Sequence, residues 1–150
     1  MPGQPPSPDA DPLPEAPAQA RRFGKTRDAL SMALLEDYVE LIADLQGPTG
    51  AVRPVDIARR LGVSHVTVIN TVARLRREGL ASSRPYHGVS LTEAGLALAR
   101  RVHRRHRLVV DLLRAVGVPE EAAEQDAEGI EHHVSEASLA AFSRFLGRSA

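Results

Sequence analysis

Apolar residues recur at intervals of three and four along most of this chain, and each recurrence ends at a residue that stops a helix. Leu34, Leu35, Tyr38, Leu41, Ile42 and Leu45 form the first stripe, the spacing of an amphipathic helix. That helix is predicted to begin near Thr26 or Ser31, where either hydroxyl can cap, and to stop at Gly47-Pro48. A second stripe, Ile57, Ala58 and Leu61, follows Pro54 and ends at Gly62; a third, Val68, Val72 and Leu75, follows Ser64 and ends at Gly79. Proline at a first helical position, serine at a cap and glycine just past the end are the residues that helix boundaries favour.

After Gly79 the period changes. Leu80–Arg84 and Val89–Thr92 are short strand-like runs around Pro85-Tyr86-His87-Gly88, which reads as a β-hairpin. Thr92 then opens a long helix to about Ala115, ended by Gly117 and Pro119, and two further helices are predicted at roughly 119–130 and 135–146. Leu139, Phe142, Phe145 and Leu146 give the last one an apolar stripe suited to the core or to a dimer seam. The pattern predicts a mainly α fold: a winged helix-turn-helix over 23–93, then a helical domain over 94–150. Residues 1–22 form a leader outside the fold, since 1–20 hold seven of the eleven prolines and no basic residue.

Composition narrows the picture. The length suits one domain or two very small ones, and without cysteine the chain has no disulfide, thiolate chemistry or cysteine-type zinc site. No apolar run approaches a membrane span and no secretory leader is evident, so a cytoplasmic protein is expected. The formal net charge of zero hides segregation. Residues 51–114 carry 13 basic and 4 acidic side chains, against 4 and 8 before them and 2 and 7 after them. A basic central block flanked by acidic ends suggests a polyanion partner for the middle and a separate task for the flanks.

A helix-turn-helix inside that block points to double-stranded DNA. The second helix is predicted to expose His65, Thr67, Asn70, Thr71 and Arg74, side chains long and polar enough for base edges, with Ser64 at its cap and Arg84 on the wing. The bland alternative, a helical hairpin with surface arginines, explains neither the wing nor the charge.

The acidic flanks carry a second pattern. Glu128, Glu131 and His132 stand at i, i+3 and i+4, on one face of a continuous helix. Carboxylates with an imidazole suit a divalent cation of intermediate hardness. No lysine or arginine lies between Arg114 and Arg144, although seven acidic residues do; such a segment is either solvated or awaiting a cation. Glu36, Asp37, Glu40 and Asp44 make the first helix acidic as well, while His103 and His106 sit among arginines in the long helix.

Asp37-Tyr38-Val39-Glu40, the winged helix-turn-helix and Asp126-Ala127-Glu128-Gly129-Ile130-Glu131-His132-His133 together resemble the diphtheria-toxin-repressor family, in particular its manganese-responsive branch, over residues 30–146. The resemblance implies metal ligands at Asp37, Glu40, His106, Glu128, Glu131 and His132, forming two adjacent sites per subunit with Glu128 as the bridging carboxylate. It implies Mn²⁺ as the activating ion, with Fe²⁺, Cd²⁺ or Zn²⁺ as surrogates, a homodimer, an operator DNA and repression of metal-uptake genes, with no membrane and no organic cofactor. Iron-responsive relatives use a sulfur ligand near this position; this chain has no cysteine, and Met1 and Met32 fall outside the motif. Oxygen and imidazole donors suit manganese better. The alternatives are an iron-responsive regulator of the same family and a dinuclear metal-dependent hydrolase. A regulator that senses an organic ligand is disfavoured by only five aromatic residues with which to line its pocket.

Overall fold

The computed structural model describes residues 11–48 and 50–148; the first ten residues of the expected leader lie outside them. Six helices and one hairpin follow the order foreseen, with one displacement at the start. Helix α1 spans Ala16–Gln46 and so begins well before Thr26. Pro17 lies in its first turn, where the missing N–H removes no helical hydrogen bond. The expected capping residues are interior: Thr26 Oγ1 donates to the Arg22 carbonyl at 3.2 Å. Extending a helix costs far less than nucleating one, so a half anchored by packing carries an exposed, alanine-containing half with it. No residue from 16 to 34 is fully buried. Removing residues 1–20 is therefore expected to leave the thermal unfolding midpoint unchanged, and a drop of more than a few degrees would refute this.

The anchored half buries Leu35, Tyr38, Val39 and Ile42. The stripe is rotated from the one expected: Leu34 is exposed and Val39 takes a core position. Helices α2 (Pro54–Leu61) and α3 (His65–Arg77) flank a tight turn, with Gly62 in the left-handed region and Ser64 Oγ accepting from the Thr67 N–H. Ile57, Val68, Val72 and Leu75 fill the space between them and α1.

Strands β1 (Ala81–Arg84) and β2 (Gly88–Leu91) pair antiparallel, Ala81 opposite Leu91 and Arg84 opposite Gly88. Val52 adds an isolated bridge to Val89, so the wing is tied to the segment before α2. Gly88 has a φ of +82°, and a β-carbon there would lie 2.7 Å from the Val52 carbonyl oxygen. Helix α4 (Glu93–Ala115) starts at Thr92, whose Oγ1 accepts from the Gly95 N–H and donates to the Gly79 carbonyl at 2.7 Å. A β-carbon at Gly95 would run into the Leu80 carbonyl oxygen. Gly95→Ala should thus destabilise the chain by about 1–3 kcal/mol in chemical denaturation, and an unchanged midpoint would show that the wing yields.

Helix α4 serves two cores. Leu98, Ala99 and Val102 belong to the larger one with α1 and the winged unit. Val109 and Val110 pack with Ala123 and Ala127 of α5 (Glu120–Ile130) in a smaller one. A 3-10 turn, Glu131–His133, follows α5, and Ser135 caps α6 (Glu136–Phe145). No residue of α6 is fully buried: Leu139 packs on the smaller core, whereas Phe145 is exposed. No helix among the described residues is long and apolar enough to cross a membrane.

Candidate metal centre and nucleic-acid interface

Four elements converge around the middle of α4. Helix α1 supplies Glu36 and Asp37, α4 supplies Arg105 and His106, α5 supplies Glu124 and Glu128, and the 3-10 turn supplies Glu131 and His132. The switch from α to 3-10 geometry separates the residues expected on one face. Glu131 is fully buried and the His132 side chain nearly so, whereas the Glu128 side chain is 65% exposed.

His106 Nδ1 lies 3.5 Å from Glu131 Oε1 and 3.8 Å from Glu128 Oε1. His132 Nε2 lies 3.0 Å from Asp37 Oδ1 and 4.0 Å from Glu131 Oε1. Glu131 Oε1 thus lies within 4.0 Å of both histidines, and Glu128 lies near His106. Glu40 makes its ion pair elsewhere, 3.8 Å from His103 Nδ1. His133 is exposed and away from the cluster.

Among the described residues, four buried side-chain polar atoms lack a hydrogen-bond partner, and three of them belong here: His106 Nδ1, Glu131 Oε1 and His132 Nε2. Asp37 Oδ1 makes an ion-pair contact with His132 Nε2 that lacks hydrogen-bond geometry. Buried polar atoms left unpaired cost about 1–3 kcal/mol each unless something fills the gap. His106, Glu128 and Glu131 each bring one ligand atom to within 4.8 Å of the others, and an imidazole with two carboxylates is a donor set that fits a divalent cation of the manganese, iron or zinc type.

Electrostatics supply the rest. Asp37 and Glu36 push the His132 imidazole up to about 10, against burial. Burial alone would raise the Glu36 carboxyl, but hydrogen bonds from His132 and Arg105 outweigh it and hold the group low. Glu131 is raised by burial, offset in part by His132, Arg105 and His106. Burial raises Glu40 too, helped by the negative charge of Glu128. His106 is held high by its hydrogen bond to Glu124 and by Glu128 and Glu131, although burial opposes this.

Sequence reasoning missed Glu36, Arg105 and Glu124 as members of this centre. Arg105 pairs with Glu36 through Nη2 and reaches Glu131 Oε2 at 3.4 Å and His132 Nδ1 at 3.3 Å. The acidic segment therefore does not lack bases: Arg105, Arg107 and Arg114 of α4 pair with Glu131, Glu124 and Glu120. Those three arginines are correspondingly withdrawn from the basic block that suggested DNA.

On the winged unit, His65, Thr67 and Asn70 of α3 and Arg84 of β1 are exposed as expected. Thr71 is not; at 6% exposure it completes the Val68, Val72, Leu75 face, and its hydroxyl donates to the Thr67 carbonyl at 2.9 Å. A threonine that bonds back one turn can occupy an inward position without an unpaired polar group. Arg74 is turned toward α1, donating to the Ser31 carbonyl at 3.2 Å and to Ser31 Oγ at 2.8 Å. The Ser64 hydroxyl is engaged in the cap and with Thr67 Oγ1 at 2.9 Å. Val66 and Ile69 are exposed beside the polar trio; their interruption of the apolar period was the available signal.

The family model for the iron dependent repressor N-terminal DNA binding domain matches residues 32–89. The model for the iron dependent repressor metal binding and dimerisation domain matches residues 92–150. Transcriptional regulator MntR of Escherichia coli O6:H1 is 47% identical over 123 residues, which cover 82% of this chain and 79% of that protein. The chain belongs to the iron-dependent repressor family, in its MntR branch. HTH-type transcriptional regulator MntR of Bacillus subtilis is 39% identical over 101 residues, covering 67% of this family member and 71% of the relative. A manganese-dependent transcriptional repressor in complex with manganese superposes with a TM-score of 0.66 at 30% identity, over 76% of this chain and 53% of that one. The manganese regulator SloR gives 0.66 at 29% identity, over 77% of this chain and 54% of its own; the chain thus spans about half of these two solved structures. As a member of this family the protein is a DNA-binding transcriptional regulator with a mainly α, winged-helix architecture.

Proposed function

We propose that the chain is a manganese-responsive, sequence-specific repressor that binds operator DNA as a homodimer. The observation that carries this reading is the set of three unpartnered buried atoms on His106, Glu131 and His132, gathered from α4 and the 3-10 turn, with Asp37 of α1 against His132. Asp37, His106, Glu128, Glu131 and His132 hold the metal, with Glu40 as a further ligand once its side chain leaves His103. When bound, the ion supplies positive charge that relieves carboxylate repulsion across elements far apart in sequence. If two ions bind per subunit, Glu128 and Glu131, which both reach His106, would be the carboxylates placed to serve both.

The chain's own residues then perform the coupling. Asp37 is on the helix whose buried half packs the winged unit, and Glu131 and His132 belong to the C-terminal helices. Holding these side chains together fixes α1 against the C-terminal region and narrows the orientations of the winged unit. A homodimer, for which the exposed Phe145 of α6 offers a contact, must set two recognition helices about 34 Å apart to read successive major grooves. His65, Thr67 and Asn70 face the bases, with Val66 and Ile69 available for thymine methyl groups, and Arg84 meets phosphate. The division into 23–93 for DNA and 94–150 for dimerisation and metal fits this scheme, with α4 shared between the two.

A gel-shift titration of operator DNA against Mn²⁺ tests the reading: affinity should rise by about 5–150-fold, the usual range of such coupling. No change on adding Mn²⁺, with tighter binding on adding Fe²⁺ alone, would favour the iron-responsive alternative. Hydrolysis of generic phosphate or ester substrates with Mn²⁺ would favour the hydrolase. Arg74→Ala should leave the salt dependence of DNA binding unaltered, because Arg74 is engaged with Ser31. Arg84→Ala should reduce the slope of log affinity against log salt by up to about one. The reverse result would show that Arg74 releases α1 to meet DNA.

A further inference from the structure

Each imidazole of the metal centre has two nitrogens, and in both histidines an outer carboxylate has taken one of them. His106 Nε2 lies 3.0 Å from Glu124 Oε2, leaving Nδ1 toward Glu131 and Glu128. His132 is held in the opposite sense: Nδ1 lies 3.0 Å from Glu36 Oε2, leaving Nε2 toward Asp37 and Glu131. The two nitrogens so left over are the two that have no hydrogen-bond partner.

The outer carboxylates are themselves held. Glu124 divides its oxygens, Oε2 to His106 and Oε1 to Arg107 at 3.5 Å. Glu36 is paired with Arg105. Each also shares a helix with an inner carboxylate, Glu124 one turn before Glu128 on α5 and Glu36 beside Asp37 on α1. A ligating imidazole presents one nitrogen lone pair and donates from the other N–H; the group that accepts this N–H fixes ring orientation and raises donor strength.

We infer that Glu124 and Glu36 are positioning residues that decide which nitrogen each histidine presents, Nδ1 for His106 and Nε2 for His132. This rests on the metal-binding reading above. Glu124 acts on the ring from outside the cluster, and its side chain is 43% exposed, so the site can be perturbed there without opening the core.

The test uses the full chain with Cd²⁺ as a diamagnetic probe. Affinity is measured by chelator competition, and long-range ¹H–¹⁵N spectra of histidine-labelled, Cd²⁺-loaded protein report which nitrogen is bound. The wild type should show Nδ1 of His106 and Nε2 of His132 on the metal. Glu124→Leu should weaken Cd²⁺ binding by about 10–100-fold and disturb the His106 pattern alone. Glu124→Gln, whose amide oxygen still accepts from Nε2–H, should remain within about threefold of wild type, and Glu36→Leu should disturb His132 alone. A wild type with His106 bound through Nε2, or a Glu124→Leu protein with unchanged affinity and spectrum, overturns this inference and leaves metal binding standing. Failure of the wild type to take up either Cd²⁺ or Mn²⁺ overturns both.

Discussion

Glu131→Gln should abolish Mn²⁺-stimulated operator binding while leaving the weak metal-independent affinity in place. Among the described residues, Glu131 is the one carboxylate whose oxygen lies within 4.0 Å of both His106 and His132. Removing its charge leaves neither half of the centre with a shared ligand. The stimulation of about 5–150-fold should collapse to near unity. Glutamine keeps the shape, and Arg105 keeps Glu36 as its partner, so cooperative unfolding of the metal-free protein should persist. Glu128→Gln removes a contact with His106 alone from an exposed position, and so should reduce the stimulation without eliminating it. A gel-shift titration that found Glu128 essential and Glu131 dispensable would return the bridge to the position that the family resemblance implies.

The architecture was legible because each element carries local punctuation. Pro54, Gly62, Ser64, Gly79 and Thr92 all stand where their backbone preferences place them, and the observed caps and turns use those residues. The start of α1 was not legible, because an exposed helix extended from a packed one leaves no apolar stripe to read. Thr71 misled for a different reason: polarity suggested a DNA contact, but position 71 lies on the inward period and its hydroxyl is satisfied within the helix.

The centre was half legible. Asp37, His106, Glu128, Glu131 and His132 were identified through the family motif, and the structure brings them together. Glu36, Arg105 and Glu124 were missed because their partners are remote: the Glu36–His132 bond spans 96 residues and the Arg105–Glu36 pair 69. Local charge counting treated the acidic segment as uncompensated, whereas its counter-charges come from the facing side of α4. A charge run shows what a segment needs and does not reveal which remote element meets the need.

The metal affinity should rise steeply with pH, and the cause is His132. Its imidazole is raised from 6.5 to about 10 by Asp37 and Glu36, so in the metal-free protein at neutral pH the ring carries its extra proton. That proton stabilises the metal-free fold; the contribution is fully present below about pH 6.5 and is lost as pH rises through about 10. Ligation requires a free ring nitrogen, so uptake must release this proton. Between about pH 6.5 and 9 the apparent affinity should gain up to about tenfold per pH unit from this residue alone. His106, also held high by its carboxylate neighbours, should steepen the lower end of that range. Titration calorimetry in buffers of different ionisation enthalpy should therefore record about one or more protons released per subunit at pH 7.5. Asp37→Asn should lower the proton release, because the first of the two carboxylates holding the ring high is gone, and should weaken binding by removing a ligand. An affinity independent of pH between 6.5 and 8.5 would mean that His132 enters the site without its proton, and that the ion pair joining α1 to the 3-10 turn does not oppose metal uptake.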